Sequence, residues 1–146
     1  MSKQIERREI LVFGTIEEDV ARDFLMELNQ CRADGFIPLV KICSGGGDLT
    51  AAMAMHDALA DEDWPNTGVI ATGRCMSSAL AVLLGVPLVH RRATANTVFM
   101  SHAIQNIDSR DLPDDLPVMK EMAKIPCEVF GPTRAIAIKL IAGMME

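Results

Sequence analysis

No two of the four cysteines, Cys31, Cys43, Cys75 and Cys127, stand in a C-x-x-C pair, and the three histidines, His56, His90 and His102, are scattered. Zinc-type ligand spacing is therefore missing, no metal or other cofactor is expected, and the thiols read as reduced and part-buried. The longest apolar run, Ala79 to Val89, has 11 residues, short of the roughly 20 that a bilayer-spanning helix needs. Met1 to Arg8 is charged with no apolar run behind it, so no signal peptide is read, and the expectation is a cytoplasmic protein with no membrane partner. Clustered lysine and arginine are missing too. Net charge is −6, and the densest basic group, Lys3, Arg7 and Arg8, is interleaved with Glu6 and Glu9. Nucleic acid is not an expected partner, since neutralising phosphates requires a basic patch. Absent G-K-[ST], Gly-x-Gly-x-x-Gly and Gly-x-Ser-x-Gly motifs remove the phosphate loop, the dinucleotide fingerprint and the common hydrolase elbow. No internal repeat and no low-complexity segment is present.

What is there is an alternation. The 146 residues are 49% hydrophobic, enough for one compact domain over 1–146 with a real core. Glu9 to Gly14 reads as a strand, then Thr15 and Glu18 as a capping box opening a helix with Val20, Phe24, Leu25, Leu28 and Cys31 on one side. Asp34-Gly35 stops it. Phe36 to Cys43 has the look of a strand buried on both faces. Asp48 or Thr50 caps a second helix to about Asp61, with Ala52, Met55, His56 and Leu59 on one face. Gly68 to Thr72 predicts a strand, Ser77 to Leu84 a helix, Pro87 to His90 a short extended piece, and Asn96 to His102 another strand. Strand and helix in alternation imply crossover units, an α/β fold and a largely parallel sheet. Beyond about residue 104 the pattern changes: Asp108 to Pro117 is a solvated loop, Leu116 to Lys124 a helix, and Gly131-Pro132-Thr133 opens a last helical arm. The apolar helix Leu49 to Leu59 and the apolar tail suggest a homo-oligomer.

Three places carry possible chemistry. Ser77 and Ser78 sit at a strand-to-helix turn, where unpaired N–H groups and a helix start suit a nucleophile that generates an oxyanion. The alternative there is a plain serine N-cap. Gly45-Gly46-Gly47 lies between a strand and a helix, as either a tight turn or an oxyanion hole. A phosphate cradle is disfavoured because Asp48 would stand where the anion sits. His102, at a strand end, is either structural or the base that an unactivated serine requires. His56 and His90 read as structural.

Together these blocks resemble the proteolytic-subunit family of the Clp protease (ClpP-like), self-compartmentalising serine peptidases with a crotonase-like fold. Ser44-Gly45-Gly46-Gly47-Asp48-Leu49-Thr50-Ala51 is similar to the family's Ser-Pro-Gly-Gly-Ser-Val-Thr-Ala. Gly73 to Leu80 resembles its Gly-x-Ala-Ala-Ser-Met-Gly-Ala, and Met100 to Ile104 its Met-Ile-His-Gln-Pro. The 25-residue gap between Ser77 and His102 is the family's own, and Ile10 to Ile16 resembles its opening strand and turn, so residues 9–104 are covered. The resemblance implies a nucleophile at Ser77, a base at His102, oxyanion N–H groups from Gly47 and Ser78, and an extended polypeptide substrate along Gly46 and Gly47. It also implies a homo-oligomeric ring and an AAA+ unfoldase partner. The chain departs from the pattern in Gly45 for proline, in Cys75 and Met76 for two alanines, and in the acidic loop that replaces a glycine-rich handle. No aspartate matches the family's third triad member, which lies well downstream of the histidine. Asp108, Asp111, Asp114 and Asp115 are candidates to replace it. A catalytically inactive ring subunit, and an acyl-coenzyme-A hydratase or isomerase of crotonase type, are the other readings.

Overall fold

The computed structural model describes residues 6–101 and the backbone of 128–130. Strands β1 (Arg7–Phe13), β2 (Ile37–Ser44) and β3 (Gly68–Met76) lie parallel and adjacent. On the far edge of β3, β4 (Arg91–Ala93) pairs with its first half and β5 (Val98–Ser101) with its second, both parallel. β6 (Glu128–Phe130) closes the described sheet antiparallel to β5. Helices α1 (Glu18–Ala33), α2 (Leu49–Leu59) and α3 (Ala79–Leu83) form the crossovers. The expected α/β architecture with a mostly parallel sheet is what folds. No helix among the described residues is long and apolar enough to cross a membrane.

Two rows of side chains make the core. The register stacks Ile10 beside Val40 and Val69, and Val12 beside Ile42 and Ala71, all nearly free of solvent. Because strand side chains alternate with period two, these rows share one face. Phe24, Leu28 and Cys31 of α1, Met55 and Leu59 of α2, and the whole of α3 complete the same cluster. Each aliphatic side chain so removed from water contributes about 1.5–3 kcal/mol before entropy is subtracted. The other face is not covered by these helices: Leu11 and Phe13 are 68% and 81% exposed. β2 accordingly alternates buried and half-buried residues, which corrects the expectation of a strand buried on both faces.

Other boundaries differ for local reasons. The Thr15 capping box does not form, because Ile16 is held in a parallel bridge with Gly47 and the chain stays extended through Glu17, which caps α1 without a side-chain bond. Asp48, one of the two expected caps, does cap α2, its Oδ1 accepting from the Ala51 N–H at 2.7 Å. Gly73 does not end β3. It takes φ +67° and the strand runs on to Met76. Pro87 to His90 is not extended, since Leu88–His90 forms a single 3-10 turn. The short β4 and β6 carry no alternation long enough to predict. His102, Cys127, the acidic loop and the helical arm lie outside the described residues.

Candidate active site

Loops leaving the carboxyl ends of β1, β2 and β3 are tied to each other. Ile16 donates its N–H to the Gly46 carbonyl at 2.9 Å and accepts from the Asp48 N–H at 2.8 Å. The buried Ser44 Oγ accepts from the Gly46 N–H at 3.0 Å. Gly46 and Gly47 have φ of +99° and +150°, and a Cβ on Gly47 would run into the Ile16 carbonyl. Only glycine fits this turn.

The same turn touches the end of β3. A Cβ built on Gly46 would come 2.7 Å from Ser77 Cβ, 2.9 Å from the Met76 carbonyl oxygen and 3.2 Å from Ser77 Oγ. Ser77 has φ +55°, the one positive value on a non-glycine among the described residues. Its N–H donates to the Met100 carbonyl of β5 at 2.8 Å, and its own carbonyl accepts from the Leu80 N–H at 3.0 Å. A serine forced into the left-handed region on a strand-to-helix turn has the backbone character of a nucleophile elbow, although no Gly-x-Ser-x-Gly motif encodes it.

The capping alternative for this serine pair does not hold. Ser78 occupies the N-cap position of α3 in a helical conformation with no side-chain cap bond. Its hydroxyl donates instead to the Gly47 carbonyl at 3.3 Å, joining the two loops. α3 is also shorter than the sequence pattern implied, five residues from Ala79 to Leu83, so its dipole adds little. Free amides remain as the electrostatic resource. Gly47 N–H and Ser78 N–H each donate to no acceptor among the described residues, and Ser77 Oγ has no hydrogen-bond partner there either. Two unpaired N–H groups beside a hydroxyl are what a developing oxyanion requires.

Of the predicted site residues, Gly46, Gly47, Ser77 and Ser78 come together, and His102 lies outside the described residues. His56, whose Nδ1 lies 3.0 Å from Asp57 Oδ1, is on α2, and His90 is in the 3-10 turn. Neither side chain bonds to Ser77 or to Gly45, Gly46 or Gly47. Cys75 is buried, and desolvation, with Cys43 nearby, pushes its thiol far above the ordinary range. It is a packing residue rather than a second nucleophile. No group of three metal-ligating side chains occurs among the described residues. A hollow of about 410 Å³ beside Trp64 and Arg91 and a groove of about 530 Å³ between α1 and α2 are lined by none of Ser77, Gly45, Gly46 and Gly47. The tie from Ile16 and the role of Ser44 Oγ escaped the sequence, because a single bridge carries no periodicity.

Comparison with known proteins bears on the family and the fold. The family model described as Clp protease matches residues 1–126. Among solved structures, an asparagine-to-aspartate mutant of ClpP1 from Listeria monocytogenes superimposes with TM-score 0.65 at 25% identity, covering 78% of this chain. The chain spans 66% of that protein's length. No curated protein matches the sequence.

Proposed function

The chain belongs to the Clp protease family, and from that footing we propose that it is a serine-type endopeptidase acting on extended polypeptide, read as one domain over 1–146. One observation carries the reading: Ser77 is held at φ +55° against Gly46, and the amides of Gly47 and Ser78 on either side of that contact have no acceptor among the described residues. A thioester enzyme of crotonase type needs paired amides but has no use for a strained serine between them, so Ser77 favours the peptidase.

In this mechanism His102 takes the Ser77 hydroxyl proton as Oγ attacks the scissile carbonyl carbon. Gly47 and Ser78 N–H groups stabilise the resulting oxyanion. Collapse expels the amine, which leaves with the proton from His102, and an ester on Ser77 remains. Water, deprotonated by His102, then attacks the ester and releases the acid. Substrate adds as an extended strand beside Gly46 and Gly47. The family's ring assembly, an AAA+ unfoldase partner and a cytoplasmic setting belong to the same proposal.

A fluorophosphonate probe tests it. Labelling at Ser77 is expected, abolished in Ser77→Ala and slowed by about 10⁶-fold in His102→Ala. A folded protein that takes no label, and whose mass is unchanged after long incubation, overturns the peptidase in favour of an inactive ring subunit. Thioester binding without labelling would favour the crotonase chemistry.

A further inference from the structure

Arg74 stands three residues before Ser77 on β3, exposed. Arg8, Lys41 and the buried Arg32 each face a carboxylate, and Arg91 donates to the Val86 and Leu84 carbonyls. The Arg74 guanidinium has no hydrogen bond or ion pair among the described residues. Its guanidinium lies over the glycine turn instead. A Cβ on Gly45 would meet Cζ and Nη1 at 3.5 Å and Nε at 3.8 Å. The next glycine, Gly46, is the one whose Cβ would come 3.2 Å from Ser77 Oγ.

Consecutive Cα atoms are about 3.8 Å apart. Cation and hydroxyl thus lie against neighbouring residues of one turn. A peptide extended along that turn with its scissile carbonyl at Ser77 advances about 3.3 Å per residue. A side chain within about two residues of the cleaved bond then reaches the guanidinium. The missing side chain at Gly45 leaves the planar fork open, and a fork of this kind pairs with a carboxylate through two parallel N–H bonds. The net charge of −6 works against acidic substrates at long range, so any selection of them has to be local to this residue.

We infer that Arg74 is a specificity-determining residue, selecting peptides that carry an acidic side chain within about two residues of the scissile bond. The inference rests on the peptidase reading. Fluorogenic peptide pairs differing only by Glu against Gln, placed at each position within two residues of the cleaved bond, test it on the full-length chain. In at least one pair the ratio of kcat/KM for Glu over Gln should be about 5- to 10-fold, the size of a half-exposed charge-assisted contact. That ratio should drop to about one in Arg74→Gln, fall below one in Arg74→Glu, and shrink in wild type as salt rises. Ratios cancel any loss of active protein common to both peptides, and the salt series needs no variant. Ser77 labelling is read in parallel. Protein that neither labels nor cleaves overturns the peptidase and this inference together. Protein that labels but cleaves no pair, or shows a ratio near one, or keeps its ratio in Arg74→Gln or in high salt, overturns the role of Arg74 alone.

Discussion

Replacing Ser77 by glycine should make the protein more stable than replacing it by alanine, and the sign is the informative part. At φ +55° a residue with a Cβ suffers a left-handed penalty of about 1–2 kcal/mol, which glycine escapes. Glycine in turn loses about 0.4–1 kcal/mol through its freer unfolded chain. The net is about 0.5–1 kcal/mol in favour of Ser77→Gly. Ser77→Ala keeps the penalty and removes a hydroxyl that has no hydrogen-bond partner among the described residues, so it should sit close to wild type. Both variants lack the hydroxyl, and their difference reports the backbone alone. For a chain of 146 residues the gap corresponds to about 2–3 °C in Tm, readable by thermal and urea denaturation of the two variants side by side. At an ordinary φ the order would be reversed by a similar amount. Finding Ser77→Gly equal to or less stable than Ser77→Ala would refute the claim that the turn strains this residue, and with it the observation on which the proposed nucleophile rests.

Other outcomes follow from single contacts. Thr97→Val should cost about 1–2 kcal/mol in urea titration, because the buried Thr97 Oγ1 donates to the Ala71 carbonyl at 3.0 Å and meets Thr94 Oγ1 at 2.8 Å, whereas Thr97→Ser should be nearly neutral. Asp34 is held below the ordinary carboxylate range by hydrogen bonds from Arg8 first and Gln30 second. Its contribution to stability is present above the unfolded pKa and is lost as pH falls through the depressed folded value. Arg8→Ala should move the Asp34 carboxyl titration upward by NMR and weaken the acid limb of the stability curve. Burial raises the thiols of Cys31 and Cys75, while Cys43 is only partly buried, so maleimide should modify Cys43 in the native protein but Cys31 and Cys75 only on unfolding, as mapped by peptide mass spectrometry.

Apolar runs bounded by glycine were enough to place the core strands, and helical spacing was enough for α1 and α2, because burial selects apolar residues; the one-faced burial of β2 was not legible, its outward residues being mostly apolar as well. Asp34-Gly35 and Asp48 were legible for a similar reason, since helix ends need particular side chains. The capping box at Thr15 was misread because a local rule met a distant partner: the bridge to Gly47 lies 31 residues on and holds the chain extended where the motif would turn it. Gly73 was misread as a terminator for the opposite reason, its positive φ being used inside a strand. At the site, the candidate residues came from the resemblance, whereas the φ of Ser77, the amides left without an acceptor among the described residues and the lean of Arg74 onto Gly45 depend on how two strands are set against each other. No one-dimensional pattern carries that.

That setting has a physical origin in the register of β3. From the pair Ile42 and Ala71 to the pair Ser44 and Cys75, β2 advances two residues while β3 advances four. Counting on from Ser44 and Cys75 sets Ser77 level with Gly46; counting on from Ile42 and Ala71 would set it level with Asp48, about 6–7 Å further along at the usual strand rise. The two extra residues are absorbed at Gly73 with φ +67°. The far edge of β3 steps at the same place, where pairing passes from β4 to β5, and the carbonyl of Ala71 at the step is satisfied by the Thr94 N–H and the Thr97 hydroxyl. Because the slip is an even number, the pleat keeps its parity: Cys75 still faces the core with Ser44, and Arg74 still faces out. The Ser77 side chain therefore comes up against Gly46 through a bulge in the strand before it. The same Cys-Met-Ser-Ser segment on an unbulged strand would carry Ser77 past Gly46, to the capping carboxylate of α2.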